Sequence, residues 1–207
     1  TSARLRQDKR AAAGRGACIA SRRASSSSPR PCHGGGRLRN GAMPESARIR
    51  RLRSVFAALA MVAVCFAPVG ASRLAVGRED YGRYGELRPP SFAPPAWVFG
   101  AVWTVLYACM GLAAWRVWRR RGFRGARGAF ALFAAQLVLN AAWPVAFFGL
   151  RSPGAGLIVI AALWLAVALT AAAFFRASRA AGWLLLPYLA WVTFAAALNA
   201  AIWRLNP

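Results

Sequence analysis

Carboxylates run out early in this sequence. Glu86 is the last Asp or Glu, and arginine is the only charged side chain in the 121 residues that follow. Histidine and lysine occur once each, at His33 and Lys9, both within the first 42 residues. The four cysteines, Cys18, Cys32, Cys65 and Cys109, never stand as CxxC. Each shortage excludes something. Cysteine spacing of this kind builds neither a zinc site nor a disulfide framework. Conventional acid–base or nucleophilic catalysis needs a His, Glu or Lys beside the reacting group, and no Ser/His or Cys/His pair is on offer. A proton relay or cation path through a membrane uses intramembrane carboxylates or histidines, and the long apolar runs have none.

What is present is grease and arginine. The chain is 58% hydrophobic and yet carries a formal charge of +23. One soluble domain does not reconcile these figures, so the chain divides. Residues 1–42 hold ten of the 28 basic residues, with Asp8 as their one acid, and few large apolar side chains. Such a segment cannot bury enough surface to offset its ordering entropy, and reads as a disordered basic arm. Its composition fits an organelle transit peptide; a non-native extension ahead of a start at Met43 fits it too. Residues 43–207 are then the folded part. Their arginines sit at the ends of apolar runs, as membrane proteins place them, rather than on the polar scaffold that nucleic-acid binding requires. No nucleic-acid partner is expected.

Five apolar segments follow, at about 54–76, 96–118, 126–149, 154–175 and 181–203. Each is long enough to cross a hydrocarbon core of ~30 Å. The expected fold is an all-α integral membrane protein, a five-transmembrane-helix bundle in a bacterial membrane or, in a eukaryote, a mitochondrial or other organelle membrane. Pro68 is expected to kink or end the first helix. That segment, with arginines before it and small residues after, also has the outline of a signal peptide. The links after the second, third and fourth segments are short, which predicts that consecutive helices are antiparallel neighbours. Twelve arginines fall on the side of residue 43 and six, diluted by three acids, on the other; this places the N-terminus inside by the positive-inside rule.

Polar groups within the membrane are costly and so informative. Gln136, Asn140 and Trp143 recur at i, i+4 and i+7, on one face of the third helix. Trp191, Ala195 and Asn199 form a similar stripe on the fifth, and Trp103, Tyr107 and Gly111 on the second. Amides at such positions can simply be interhelical packing glue, at roughly 0.6–2 kcal/mol per bond. Three converging tryptophans, Trp103, Trp143 and Trp191, favour the other reading, a pocket for a flat, mostly apolar ligand. Ala131/Ala135 and Ala142/Ala146 are small-xxx-small pairs able to seat a second subunit or to serve internal packing.

The stretch RPPSFAPPAWVFGAVWTVLY, residues 88–107, contains four prolines. One would mark a helix start; four stiffen a long loop so that it can fold over the bundle mouth. Together with QLVLNAAWPVAFFGLRSPG and LLPYLAWVTFAAALNAAIWRLN, this stretch gives the chain from about 80 to 206 a family resemblance. It resembles the TspO/MBR family, the tryptophan-rich sensory proteins of bacteria and the translocator protein (peripheral-type benzodiazepine receptor) of eukaryotes. The resemblance implies a five-helix bundle, usually a homodimer, with a cavity toward the first loop. The cavity takes tetrapyrroles such as protoporphyrin IX, as ligand and not as cofactor, in porphyrin handling or stress signalling. It places Trp103 and Trp191 at the ligand, with Gln136, Asn140 and Trp143 beside them, Ala195 as a small pocket residue and Tyr84 as a loop aromatic over the pocket. Tyr107 and Asn199 join this set from their stripes. Photochemical porphyrin degradation through Trp103 and Trp191, and transport of lipophilic ligands, are the competing functions; no other catalytic residue and no metal site is implied. The sequence departs from the family at Phe92, Arg83, Val159 and Ala200. Ala200 stands where the short sterol motif has Tyr, so a sterol ligand is not expected.

Overall fold

The structure is a computed structural model that describes residues 45–77, 80, 82 and 87–206. The basic arm, Arg83 and Tyr84 lie outside the described residues. Five long helices make up the described chain: α1 (Glu45–Ala75), α2 (Ala96–Gly125), α3 (Arg127–Pro144), α4 (Pro153–Ala177) and α5 (Arg179–Leu205). A π-helical turn, Val145–Gly149, extends α3. All five are long and apolar enough to cross a membrane. The shortest, α3 with its π turn, spans 23 residues, or roughly 35 Å at 1.5 Å per residue. This is an integral, multi-pass membrane protein.

Three helices run further than their apolar segments. α1 starts at Glu45 rather than 54, α2 continues through the arginines to Gly125, and α5 spans Arg179–Leu205. Arginine is a good helix former, so the backbone stays helical where the side chains turn from lipid to water. Near its end α2 breaks at Gly122, which takes φ 63°, a conformation that costs glycine nothing. Pro68 neither ends nor splits α1, which runs through it to Ala75. Ser152 caps α4, its hydroxyl accepting from the Ala155 N–H at 3.2 Å, and Pro153 stands at the first helical position, where a missing N–H costs nothing.

The helices form a closed ring in the order α1–α2–α5–α4–α3. Consecutive helices are neighbours for α1/α2, α3/α4 and α4/α5, but α2 and α3 barely touch although Ala126 alone joins them. A short link fixes only the joined ends; α2 leans on α1 and α5, and α3 on α1 and α4. Inside the ring lies a core of Cys65, Tyr107, Met110, Val117, Phe133, Val167, Phe174, Leu185, Tyr188 and Val192. Glycines set the closest approaches. A Cβ at Gly111 would lie 2.5 Å from the Cα of Val62 on α1. Of the small pairs on α3, Ala131 and Ala135 are exposed on the outer face, whereas Ala146 is buried. Ala142/Ala146 therefore serves internal packing.

The described end of the first loop is held down at the mouth. Arg88 donates its N–H to Asn206 Oδ1 at 3.0 Å, and Asn206 Nδ2 donates to the Arg88 carbonyl at 3.3 Å. Leu87 and Ala93 pack against a cluster centred on Phe147, Leu198 and Ile202. Pro90 accepts from the Ala93 N–H, closing a turn within the proline stretch. Further along the same face, Asp80 pairs with Arg151, Nη2 to Oδ1 at 3.1 Å.

Candidate functional site

The three sequence stripes meet inside the ring, where they build two hydrogen-bonded chains. In the first, the Tyr107 hydroxyl donates to Asn140 Oδ1 at 2.9 Å, and Asn140 Nδ2 donates to the Tyr188 hydroxyl at 3.0 Å. This chain ties α2 to α3 and α3 to α5. Trp103 covers it, stacked on Tyr107 with ring centres 5.3 Å apart and edge-on to Tyr188 at 6.0 Å. In the second, Trp143 Nε1 donates to Asn199 Oδ1 at 3.0 Å, and Asn199 Nδ2 donates to the Pro153 carbonyl at 2.7 Å. That carbonyl belongs to the first turn of α4. Gly156, one turn on, permits the approach: a Cβ there would stand 2.9 Å from both Asn199 Oδ1 and the Phe147 ring.

Between the two chains runs an aromatic wall. Trp191 meets Phe99 of α2 edge-on at 5.7 Å and Phe194 at 5.3 Å, and Phe92 of the loop meets Phe194 at 6.3 Å. Trp143 stacks on Phe147 at 5.2 Å. Ala195 packs partly buried beside this wall. Aromatic pairs in such offset and edge-on arrangements each contribute about 0.5–1.5 kcal/mol beyond the area they bury.

Two polar groups in this interior have no hydrogen-bond partner. Gln136 is 1% exposed, and both atoms of its amide are unpaired; Trp191 Nε1 is likewise buried and unpaired. Asn140 and Asn199 are satisfied by the protein, whereas Gln136, one turn from Asn140, is not. The spacing that put Gln136 and Asn140 on one face did not separate these two conditions. No group of three or more His, Cys, Asp or Glu lies together among the described residues. The interior therefore offers aromatic faces, a free amide and a free indole N–H, and it places no charge.

Tyr188 was absent from the sequence-derived set. It is fully buried and accepts from Asn140. Its signal was available: it sits three residues before Trp191, one helical turn away on the same face. Phe99 and Phe147 were missed because phenylalanine carries no polar flag that distinguishes a wall from general core. Tyr84 lies outside the described residues.

Asn140→Leu is expected to destabilise the bundle by about 1–2 kcal/mol, because Tyr188 loses its donor within the ring. Adding Tyr188→Phe should recover part of that loss, since removing both partners of a buried bond costs less than removing one. Thermal unfolding in detergent of the two variants beside the parent checks the order.

A ring of five membrane-crossing helices enclosing tryptophans, tyrosines and amides defines a class: a multi-pass helical membrane protein with an aromatic, uncharged interior. Residues 58–204 match the TspO/MBR family. The chain is 42% identical over 155 residues to the tryptophan-rich protein TspO of Archaeoglobus fulgidus, covering 75% of this chain and 97% of that protein. It is 45% identical over 128 residues to the protein of the same name from Chlorobaculum tepidum, covering 60% and 79%. With the translocator protein of Homo sapiens it shares 41% identity over 125 residues, covering 59% and 74%. The chain belongs to the TspO/MBR family.

Proposed function

We propose that this protein is a membrane receptor for a metal-free tetrapyrrole of the protoporphyrin IX kind, which binds between α2, α3 and α5. The observation that carries this reading is the pair of unspent polar groups, the Gln136 amide and Trp191 Nε1, set in an aromatic interior. A buried polar atom left unpaired costs about 1–3 kcal/mol, and that cost is recovered when a ligand supplies the partner. Trp103 and Trp191 offer the flat faces on which a macrocycle stacks. Pyrrole nitrogens and propionate oxygens complement an amide and an indole N–H. Residues 45–206 of the sequence contain no histidine to ligate iron, which favours the free macrocycle over haem. The proline-stiffened loop, fastened by Arg88 and Asn206, is the cover on this binding site.

The test separates binding from packing. Gln136→Met is nearly isosteric and removes the unpaired amide while keeping all nine tryptophans. It is expected to stabilise the protein by about 1 kcal/mol and to weaken protoporphyrin IX binding, measured as saturable quenching of tryptophan fluorescence. A Trp103→Phe/Trp191→Phe variant is expected to weaken binding further. Undiminished saturable quenching in both variants would remove the ligand from this site.

A further inference from the structure

The two hydrogen-bonded chains inside the ring end differently. The second is closed: Trp143 Nε1 donates to Asn199 Oδ1, and Asn199 Nδ2 donates to the Pro153 carbonyl, an acceptor with no hydrogen to pass on. The first is open. Tyr107 gives its hydroxyl hydrogen to Asn140 Oδ1 at 2.9 Å, Asn140 Nδ2 gives one to the Tyr188 hydroxyl at 3.0 Å, and there the chain stops. A phenol is a donor as well as an acceptor. The Tyr188 hydroxyl hydrogen has no acceptor among the described residues. Tyr188 is also 0% exposed, so bulk water does not reach it.

The bonds of the open chain all run one way. An amide whose oxygen accepts is a better N–H donor, and a hydroxyl that accepts is a better O–H donor. Both effects accumulate on the one hydrogen left over, that of Tyr188. Thr170 of α4 shows the ordinary arrangement. It is buried too, and its hydroxyl donates to the Ala166 carbonyl one turn back at 2.6 Å. A polarised donor left unspent in an apolar interior is costly, and that cost is recovered by a partner that arrives from outside.

The surroundings select the partner. Trp103 of α2 stands edge-on to Tyr188 with ring centres 6.0 Å apart. Trp191, whose Nε1 is unpaired as well, follows one helical turn along α5. A ligand lying against these tryptophans brings its edge to the Tyr188 ring. What Tyr188 and Trp191 hold unspent is donor, so the complement is an acceptor. A carboxylate would shed its hydration with no cation to meet it, because no charged side chain is buried among the described residues. The nitrogens of a macrocycle point to its own centre and do not meet a donor at its edge. A neutral carbonyl oxygen on a peripheral side chain, in an ester, an amide or an un-ionised acid, satisfies both conditions.

We propose that Tyr188 is a specificity-determining residue of the tetrapyrrole site, donating its hydroxyl hydrogen to a neutral carbonyl oxygen at the edge of the bound macrocycle. This rests on the tetrapyrrole reading above and adds to it a residue and the group it selects. The test compares two uncharged porphyrins: protoporphyrin IX dimethyl ester, which carries ester carbonyls, and etioporphyrin, which carries only alkyl groups. Each is titrated into the full chain in detergent and followed by saturable tryptophan quenching; Tyr188→Phe keeps all nine tryptophans. The quantity read is the ratio of the two dissociation constants within one protein, so that partition into detergent cancels between parent and variant. Tyr188→Phe is expected to weaken the ester by about tenfold, the upper worth of one neutral hydrogen bond, and to leave etioporphyrin unchanged. Thr170→Val, which deletes a buried hydroxyl whose hydrogen is already spent, keeps the parent ratio. An unchanged ratio in Tyr188→Phe would overturn the assignment. So would an equal loss for both porphyrins, which makes Tyr188 a packing residue, or an equal shift in Thr170→Val, which makes the effect a general loosening of the ring. In each of these outcomes the parent still binds porphyrin and the tetrapyrrole reading stands. That reading fails, and this proposal with it, if neither porphyrin quenches the parent saturably.

Discussion

Gly111→Leu should lower the stability of the bundle by about 3 kcal/mol, the upper end of what overpacking costs. The physical reason is the identity of the atoms in the way. A Cβ at this position would meet the Cα and backbone N of Val62 at 2.5 and 2.7 Å. A side chain can rotate aside; the backbone of a neighbouring helix can only be pushed away. α1 is the element most exposed to this change, because its contacts are chiefly with α2 and much of its surface faces outward. Propensity works in the opposite direction, since replacing a helical glycine by alanine gains about 1 kcal/mol in the absence of a clash. Gly100, on the same helix with nothing within 4 Å of its Cβ position, supplies the comparison. Gly100→Ala should stabilise and Gly111→Ala should destabilise, with Gly111→Leu worse than both. Thermal or chemical unfolding of the three in one detergent reads the order directly. If Gly111→Leu proved as stable as the parent, the close approach of α1 and α2 would be refuted.

The second large effect is expected at Asn199. Its amide joins three elements, accepting from Trp143 of α3 and donating to Pro153 at the start of α4, and it is 1% exposed. Asn199→Leu leaves an indole N–H and a backbone carbonyl without these partners in an apolar interior. Single interhelical hydrogen bonds in membranes are worth about 0.6 kcal/mol on average, which would make the change minor. The average applies where the stranded groups find other partners. Asn199 and Phe147 both crowd Gly156 so closely that water has little room to substitute, and the loss should approach 2 kcal/mol. The emission of Trp143 should shift as its N–H loses its acceptor. A loss below half a kilocalorie with unchanged emission would mean that the bond is incidental.

Periodicity made much of this molecule legible in sequence. Apolar length identified the five spans, and helical spacing put Asn140 and Trp143 on one face of α3 and Trp191 and Asn199 on one face of α5. The same rule paired Trp103 with Tyr107, which stack. Spacing along one helix does not say which helix stands opposite. That α5 supplies the partners of both Asn140 and Trp143 is not written in the spacing of α3, and the ring order was misjudged at α2/α3 because a short link was taken to mean that consecutive helices are neighbours. Nor does spacing distinguish a satisfied amide from an unsatisfied one. Asn140 and Gln136 differ by one turn and by whether a tyrosine happens to reach them. The helix ends were read short because hydropathy marks where lipid stops, whereas arginine carries the helix on into water.

The π turn after Pro144 has a consequence for chain length. Its wider winding appears in the Leu150 N–H bonding to the Val145 carbonyl, five residues back, at 2.8 Å. Such a turn is an α-helix with one residue inserted. Deleting a single residue between 145 and 149 would let the segment close into ordinary α geometry. Each residue in an α-helix turns the chain by about 100°, so the deletion would swing everything downstream by that angle. Phe147 would leave the cluster it shares with Leu198 and Ile202, and the Pro153 carbonyl would no longer point at Asn199. The register of the fourth helix therefore depends on a one-residue surplus in the third, and relatives one residue shorter here would need to remake that joint with different side chains.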